Sequence, residues 1–175
     1  AELKAAKAVG GDLYQYFQPD ESRLLFAVGD VADKGMPASL FMAMTTTLIK
    51  AEGKANLEPG VILSRINHNL CQGNRTNMFV TLVLGELQLD TGVVRFASGG
   101  HNPLLMARSN GQVGYLPVSE DPMLGLLPDA SFKTMRLSLK PGDLIVAYSD
   151  GVTDTMNPDR VPFGEERFRR IVGKH

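Results

Sequence analysis

Three aspartates carry the chemistry open to this sequence. Asp30 ends the apolar run Leu24 to Asp30 and opens Asp30-Val31-Ala32-Asp33-Lys34-Gly35; Asp12 follows Gly10-Gly11; Asp150 follows the apolar run Leu144 to Ser149 and precedes Gly151. Runs of this kind read as strands, so each carboxylate is expected at a sheet rim, and the glycine beside it lets backbone approach whatever the carboxylate holds. Hard divalent cations take oxygen ligands, so three rim carboxylates converging from distant parts of the chain point to a magnesium or manganese site. Singly, each has a plainer reading: Asp-Gly is a common turn pair, Asp30 can cap the following helix, and Asp12 can be loop chemistry. The repeated arrangement favours the metal. Asp33 and Asp154 sit near candidate ligands and are equally consistent with facing solvent.

The elements that position these residues follow from alternation and turn chemistry. Glu2 to Ala8 reads as a strand leading into Gly10-Gly11-Asp12, Leu13 to Gln18 as a second strand, and Arg23 to Asp30 as its return after the turn Pro19-Asp20-Glu21-Ser22. That polar turn marks one end of the hairpin, which puts Asp12 and Asp30 together at the other. A helix is expected over Ala38 to Ala51, with Leu40, Met44 and Leu48 on one face, Phe41 beside them, and an apolar arc wide enough for burial on more than one side. Pro59 opens a second helix whose stripe Ile62, Ile66 and Leu70 runs down to Cys71. Strands return at Phe79 to Gln88 and Val93 to Ser98, then at Leu104 to Arg108 and Gln112 to Leu116 around the hairpin signal Asn110-Gly111. Phe132 to Ser138 and Leu144 to Ser149 flank the turn Lys140-Pro141-Gly142-Asp143, and Gly164 to Val172 reads as a helix. Hairpin-linked strands with helices grouped between them make an α+β fold on antiparallel sheets.

Composition narrows the function classes. The 175 residues fit one domain able to bury a core without staples, and a net charge of −1 provides no basic field for nucleic acid. One cysteine excludes an internal disulfide framework and suits a reducing compartment, so cytoplasm is the expected location. No apolar run approaches the ~18 residues of a membrane span, so no direct membrane contact is expected. The sequon Asn74-Arg75-Thr76 is then fortuitous.

Other catalytic arrangements fail on spacing. Gly29 to Gly35 has a lysine before its last glycine, the reverse of a phosphate-binding loop. Cys71 and Arg75 are too close for a cysteine-phosphatase loop, and Cys71 reads as a small core residue. His68, His101 and His175 are too few and scattered for zinc. His101 lies in Ser98-Gly99-Gly100-His101-Asn102-Pro103, where a loop-stabilising hydrogen bond is its expected role, and the Arg167, Arg169 and Arg170 run reads as a solvated helix face.

Val9-Gly10-Gly11-Asp12, Gly29-Asp30-Val31-Ala32-Asp33-Lys34-Gly35 with Ala38 and Met42 beyond, Asn77-Met78-Phe79-Val80-Thr81, Gly99-Gly100-His101-Asn102-Pro103, Leu124-Gly125 and Pro141-Gly142-Asp143 through Ser149-Asp150-Gly151-Val152-Thr153-Asp154 occur in order over nearly the whole chain. Together they closely resemble the SpoIIE and RsbU type of bacterial serine/threonine phosphatase, a branch of the metal-dependent protein phosphatase 2C superfamily. The resemblance implies a four-layer α-β-β-α sandwich of two antiparallel sheets flanked by helices, with a two-metal centre of Mn2+ or Mg2+. It implies that Asp12, Asp30 and Asp150 are metal ligands, that Asp30 bridges both ions, and that Val31 ligates through its carbonyl. Two such ions activate a water for in-line attack at phosphorus, so no protein nucleophile is required.

The implied substrate is a phosphoserine or phosphothreonine on a regulatory protein, an anti-sigma-factor antagonist of STAS type, with an upstream sensor or receiver domain in the full-length protein; a homodimer is compatible. The chain departs from the pattern in three places. Asp30-Val31-Ala32-Asp33 has no histidine where the wider superfamily often carries one. The single phosphatase domain, residues 1–175, is expected to lack the family's helical lead-in and the final strand with a further carboxylate ligand. A pseudophosphatase that holds a partner without turnover is the alternative.

Overall fold

The computed structural model describes residues 11–174. In chain order the elements are β1 (Asp12–Asp20), β2 (Arg23–Val31), α1 (Met36–Glu52), α2 (Pro59–Cys71), β3 (Val80–Gln88) and β4 (Val93–Gly99). They continue with β5 (Leu105–Ala107), β6 (Val113–Tyr115), β7 (Met135–Ser138), β8 (Leu144–Val146), α3 (Asp150–Thr153) and α4 (Glu165–Val172). The strand expected over Glu2 to Ala8 lies outside the described residues. The chain divides into two compact units, the first running to His101 and taking in Ser119–Ser138, the second made of Asn102–Val118 and the chain from Leu139.

The first unit is built on a five-stranded antiparallel sheet of order β1-β2-β3-β4-β7. Period-two alternation decides its faces: Leu25, Ala27 and Val31 of β2 and Val80, Leu82 and Leu84 of β3 pack with Phe41 and Ile49 of α1 and Ile62, Leu63, Ile66 and Leu70 of α2 in one core. Asp12, Asp30 and Thr81 are out of phase with those residues and stand on the other face. The hairpin forms where the sequence places it, but its turn is shorter than the expected Pro19 to Ser22: β1 runs through Asp20, which pairs with Arg23, and only Glu21 and Ser22 lie between the strands.

Both helices form where expected. Pro37 lies in the first turn of α1, and the helix stops at Gly53, whose N–H bonds to the Ile49 carbonyl. The stripe on α2 is buried as its spacing predicts. On α1 the buried residues are Ala38, Phe41, Thr45 and Ile49, whereas Leu40 is 65% and Met44 40% exposed. The expected face is therefore displaced by one residue. The cause is Thr45, whose hydroxyl bonds to the Phe41 carbonyl at 2.8 Å and so enters the core with its polar atom satisfied.

In the second unit β5 joins β6 through the Asn110-Gly111 turn and pairs on its other side with β8, giving the order β6-β5-β8. Gly111 has φ +87, the left-handed conformation such a turn requires. A small core of Leu105, Ala107, Tyr148, Phe168 and Val172 fastens α4. The strands flanking Lys140 to Asp143 join different sheets, β7 the five-stranded and β8 the three-stranded one. β8 ends at Val146, and Asp150 begins α3, so this aspartate heads a short helix instead of ending a strand. Two antiparallel sheets with helices match the fold class read from the sequence. Among the described residues no helix is long and apolar enough to cross a membrane.

Candidate functional site

The register of β1 and β2 sets Asp12 directly opposite Asp30, with Leu13 opposite Gly29. Opposed residues on an antiparallel pair send their side chains to one face with Cβ atoms ~5 Å apart, so the two carboxylates stand side by side at the rim. Like charges opposite one another repel, and a dication ligated by both reverses the sign. The backbone adds a third oxygen. Val31 donates its N–H to the Gly11 carbonyl at 3.2 Å. A Cβ built at Gly11 would lie 2.6 Å from the Val31 carbonyl oxygen and 3.0 Å from Asp30 Oδ1, so both oxygens border a recess that any side chain at residue 11 would fill. Two opposed carboxylates, one of them bordering this recess together with a carbonyl, suit magnesium or manganese, which take oxygen ligands.

The loop beyond is short and held. Ala32 donates its N–H to the Phe79 carbonyl at 2.9 Å, Asp33 adopts φ 74, and the Asp33 carboxylate accepts the Lys34 N–H at 2.8 Å. A non-glycine residue at positive φ is costly, and this bond to the next peptide is the local compensation that aspartate can make. Asp33 thus has a turn-forming task. On the other side of β2, Asp30 is opposite Thr81 of β3. Thr81 Oγ1 lies 3.4 Å from the Asp30 carbonyl oxygen and 2.9 Å from His101 Nδ1. The hydrogen bond expected of His101 is present, but it reaches a strand as well as its own loop. Sequence reasoning misses Thr81 because the register that sets it beside Asp30 joins segments 51 residues apart.

Asp150 belongs to the second unit, where Tyr148 anchors the segment leading to it. The Tyr148 ring lies 4.6 Å from that of Phe168 and 6.4 Å from that of Tyr115. Burial first, and the Tyr115 hydroxyl next, push the Tyr148 phenol well above its ordinary range. Asp150 is exposed, and its carbonyl accepts from the Asp154 N–H at 2.7 Å and the Thr153 hydroxyl at 3.1 Å. Among the described residues no three or more His, Cys, Asp and Glu side chains form a group that could hold a metal. What the first unit brings together is Asp12, Asp30 and the Val31 carbonyl.

Cys71 is half-buried at the end of α2, with Sγ 3.7 Å from Asn67 Oδ1. Burial pushes its thiol up, away from the range that favours a thiolate. His68 is exposed on α2. Asn74, of the fortuitous sequon, donates to the carbonyls of Met78 and Gly125 at 2.7 and 2.9 Å.

The family model for Stage II sporulation protein E (SpoIIE) matches residues 20–175. Phosphoserine phosphatase RsbU of Bacillus subtilis (strain 168) is 30% identical over 149 residues, which cover 85% of this chain and 44% of RsbU. The chain thus spans less than half of that relative. The solved structure of the PP2C phosphatase domain and a fragment of the regulatory domain of SpoIIE from Bacillus subtilis superposes with a TM-score of 0.80 at 22% identity, covering 97% of this chain and 49% of that one. RsbX, solved in complex with magnesium, gives a TM-score of 0.69 at 21% identity, covering 85% of this chain and 70% of that one. These two likenesses establish a shared fold. With its family's model matched from the first hairpin to the last residue, the chain belongs to the Stage II sporulation protein E (SpoIIE) family.

Proposed function

We propose that this domain is a Mg2+- or Mn2+-dependent serine/threonine protein phosphatase that hydrolyses phosphoserine or phosphothreonine on a regulatory protein. The observation that carries the reading is the opposition of Asp12 and Asp30, with Asp30 Oδ1 and the Val31 carbonyl bordering a recess kept open by Gly11. Asp12, Asp30 and Asp150 would ligate through their carboxylates and Val31 through its carbonyl. When bound, the ions supply Lewis acidity that activates a water and charge that stabilises the phosphoryl transition state. The chain's own work is to hold these oxygens on rigid strand ends, since misplacement by ~1 Å costs about 100-fold in rate.

The name of RsbU supports phosphoserine as the substrate group. The partner proposed for this chain is a phosphorylated STAS-type antagonist of an anti-sigma factor, met in the cytoplasm, with a sensor or receiver domain upstream in the full-length protein. The 175 residues are taken as part of a single phosphatase domain. The test is hydrolysis of a phosphoserine peptide with manganese, magnesium or chelator, for the parent and Asp30→Asn. The variant is expected to lose more than ~100-fold in metal-dependent turnover, beyond what loss of an outer-shell partner does, with its fold intact. Retained turnover at saturating manganese would overturn the ligand assignment.

A further inference from the structure

His101 is 5% exposed and is joined to the strand of the proposed ligands through a single intermediate, Thr81. Its loop is shaped for that contact. A Cβ at Gly99 would come within 2.1 Å of Leu124 Cδ1 and one at Gly100 within 2.6 Å of Met123 Cγ, and Gly100 has φ +68. Gly100 supplies the positive φ of this turn, and the glycine pair lets the chain pass close to Met123 and Leu124. Ser98, 1% exposed, then fixes residue 101 from both sides: its Oγ accepts the His101 N–H at 3.3 Å and donates to the His101 carbonyl at 3.4 Å.

The protons on this path constrain one another. A threonine hydroxyl has one proton to donate, whereas its oxygen can accept twice. If Thr81 donates to the Asp30 carbonyl, its oxygen can only accept from His101, so the imidazole must carry a proton on Nδ1. With the other tautomer Thr81 would donate to Nδ1, and the Asp30 carbonyl would lose that donor. We infer that His101 is a positioning residue for the metal-binding rim: as the Nδ1–H tautomer it donates to Thr81 Oγ1 and directs the hydroxyl proton onto the Asp30 carbonyl. That carbonyl belongs to the peptide joining Asp30 to Val31, so one hydrogen bond steadies the link between two neighbouring ligands. The inference rests on the reading of Asp30 and Val31 as ligands and adds a residue that touches neither substrate nor ion. Partners of this order orient ligands in known metal sites.

The test combines nitrogen-15 NMR of the metal-free protein with calorimetric manganese titration and steady-state kinetics. The imidazole resonances of the parent should report the Nδ1–H tautomer. Thr81→Val and His101→Leu should each weaken manganese binding about tenfold, the scale of outer-shell losses, and lower kcat while leaving KM unchanged. The double variant should be no weaker than either single one, because both break the same path. His101→Asn, whose amide N–H stands near the former Nδ1, should recover most of the affinity. A His101→Leu protein that melts lower yet binds manganese and turns over like the parent would reduce His101 to loop support and overturn the inference; multiplying penalties in the double variant, or an Nε2–H tautomer in the parent, would do the same. Should His101→Leu not fold, Thr81→Val and His101→Asn decide alone. A parent that binds no manganese overturns the ligand reading itself, while the tautomer still judges the link between His101 and Thr81.

Discussion

Adding one methyl group at Gly11 tests the site by its geometry without substituting any proposed ligand. In Gly11→Ala the new Cβ would stand 2.6 Å from the Val31 carbonyl oxygen and 3.0 Å from Asp30 Oδ1. Carbon and carbonyl oxygen in close contact are ~3.3 Å apart, so the start of β1 must move from β2 by about 0.7 Å. The nearer atom is backbone, and no side-chain rotation relieves it. One cost is structural: the Val31 N–H to Gly11 carbonyl bond, already 3.2 Å, is stretched beyond hydrogen-bonding range. That loss is worth ~0.5–1.5 kcal/mol, or about 2–4 °C in melting temperature per kcal/mol in a domain of this size. The larger cost falls on the ion. Metal–oxygen distances are held within about 0.2 Å, so a displacement of about 0.7 Å with a methyl group in the recess is expected to weaken manganese binding ~10–100-fold. Calorimetric titration beside a thermal melt separates the two costs. A Gly11→Ala protein that binds manganese as the parent does, with turnover unchanged, would refute the recess as the ion's place.

Two further outcomes follow from charges away from the rim. Glu86, 1% exposed, bonds to Arg23 at 3.1 Å and to Arg95, so Glu86→Gln weakens two charged hydrogen bonds while leaving Arg23 with Asp20 and Arg95 with Glu58, and should cost ~1.5–3 kcal/mol in a denaturant titration. The hydrogen bond from the Ser22 hydroxyl, and then that from Arg23, lower the Asp20 carboxyl from its ordinary 3.8 to about 2. Because the folded value lies below the unfolded one, its contribution is complete above pH ~4 and disappears as the pH falls towards 2. Acid melts of the parent and Asp20→Asn should therefore differ by a constant amount above that window and converge below it.

Much of the fold was legible because local signals agreed with one another. The turn Pro19 to Ser22 and the alternation on either side of it define the first hairpin, and with it the opposition of Asp12 and Asp30. The stripe of α2 stands out against polar neighbours. α1 offers less contrast: its apolar arc is wide, and a reading that counts only apolar residues cannot choose Thr45 over Met44 for the core, although the Thr45 hydroxyl is satisfied within its own helix. Asp150 reads as a strand end because Leu144 to Ser149 looks like one apolar run; nothing local marks the last three of those residues as leaving the sheet at Val146. Thr81 has no local signal at all, since its neighbours are set by the long-range registers of β2 with β3 and β3 with β4.

Those registers are set partly at the end of the sheet away from the proposed ligands. β2 runs from Arg23, 6% exposed, to Asp30 and Val31 at the rim. Arg23 bonds to Asp20 at 2.7 Å, to Glu86 at 3.1 Å and to Asn56 at 3.3 Å, and Arg95 links Glu86 to Glu58 at the start of α2. A hydrophobic strand face by itself tolerates a slip of two residues, which returns apolar groups to the core, but such a slip of β2 along β3 would move Arg23 away from Glu86 and break the buried ion pair between them. If β2 slid by the same step along β1, Asp30 could come to face Tyr14, and the opposition with Asp12 that the proposed ion needs would be lost. The buried ion pairs at one end of β2 therefore favour the same register that brings the two carboxylates together at the other, so a charge network far from the rim helps to hold the rim's geometry.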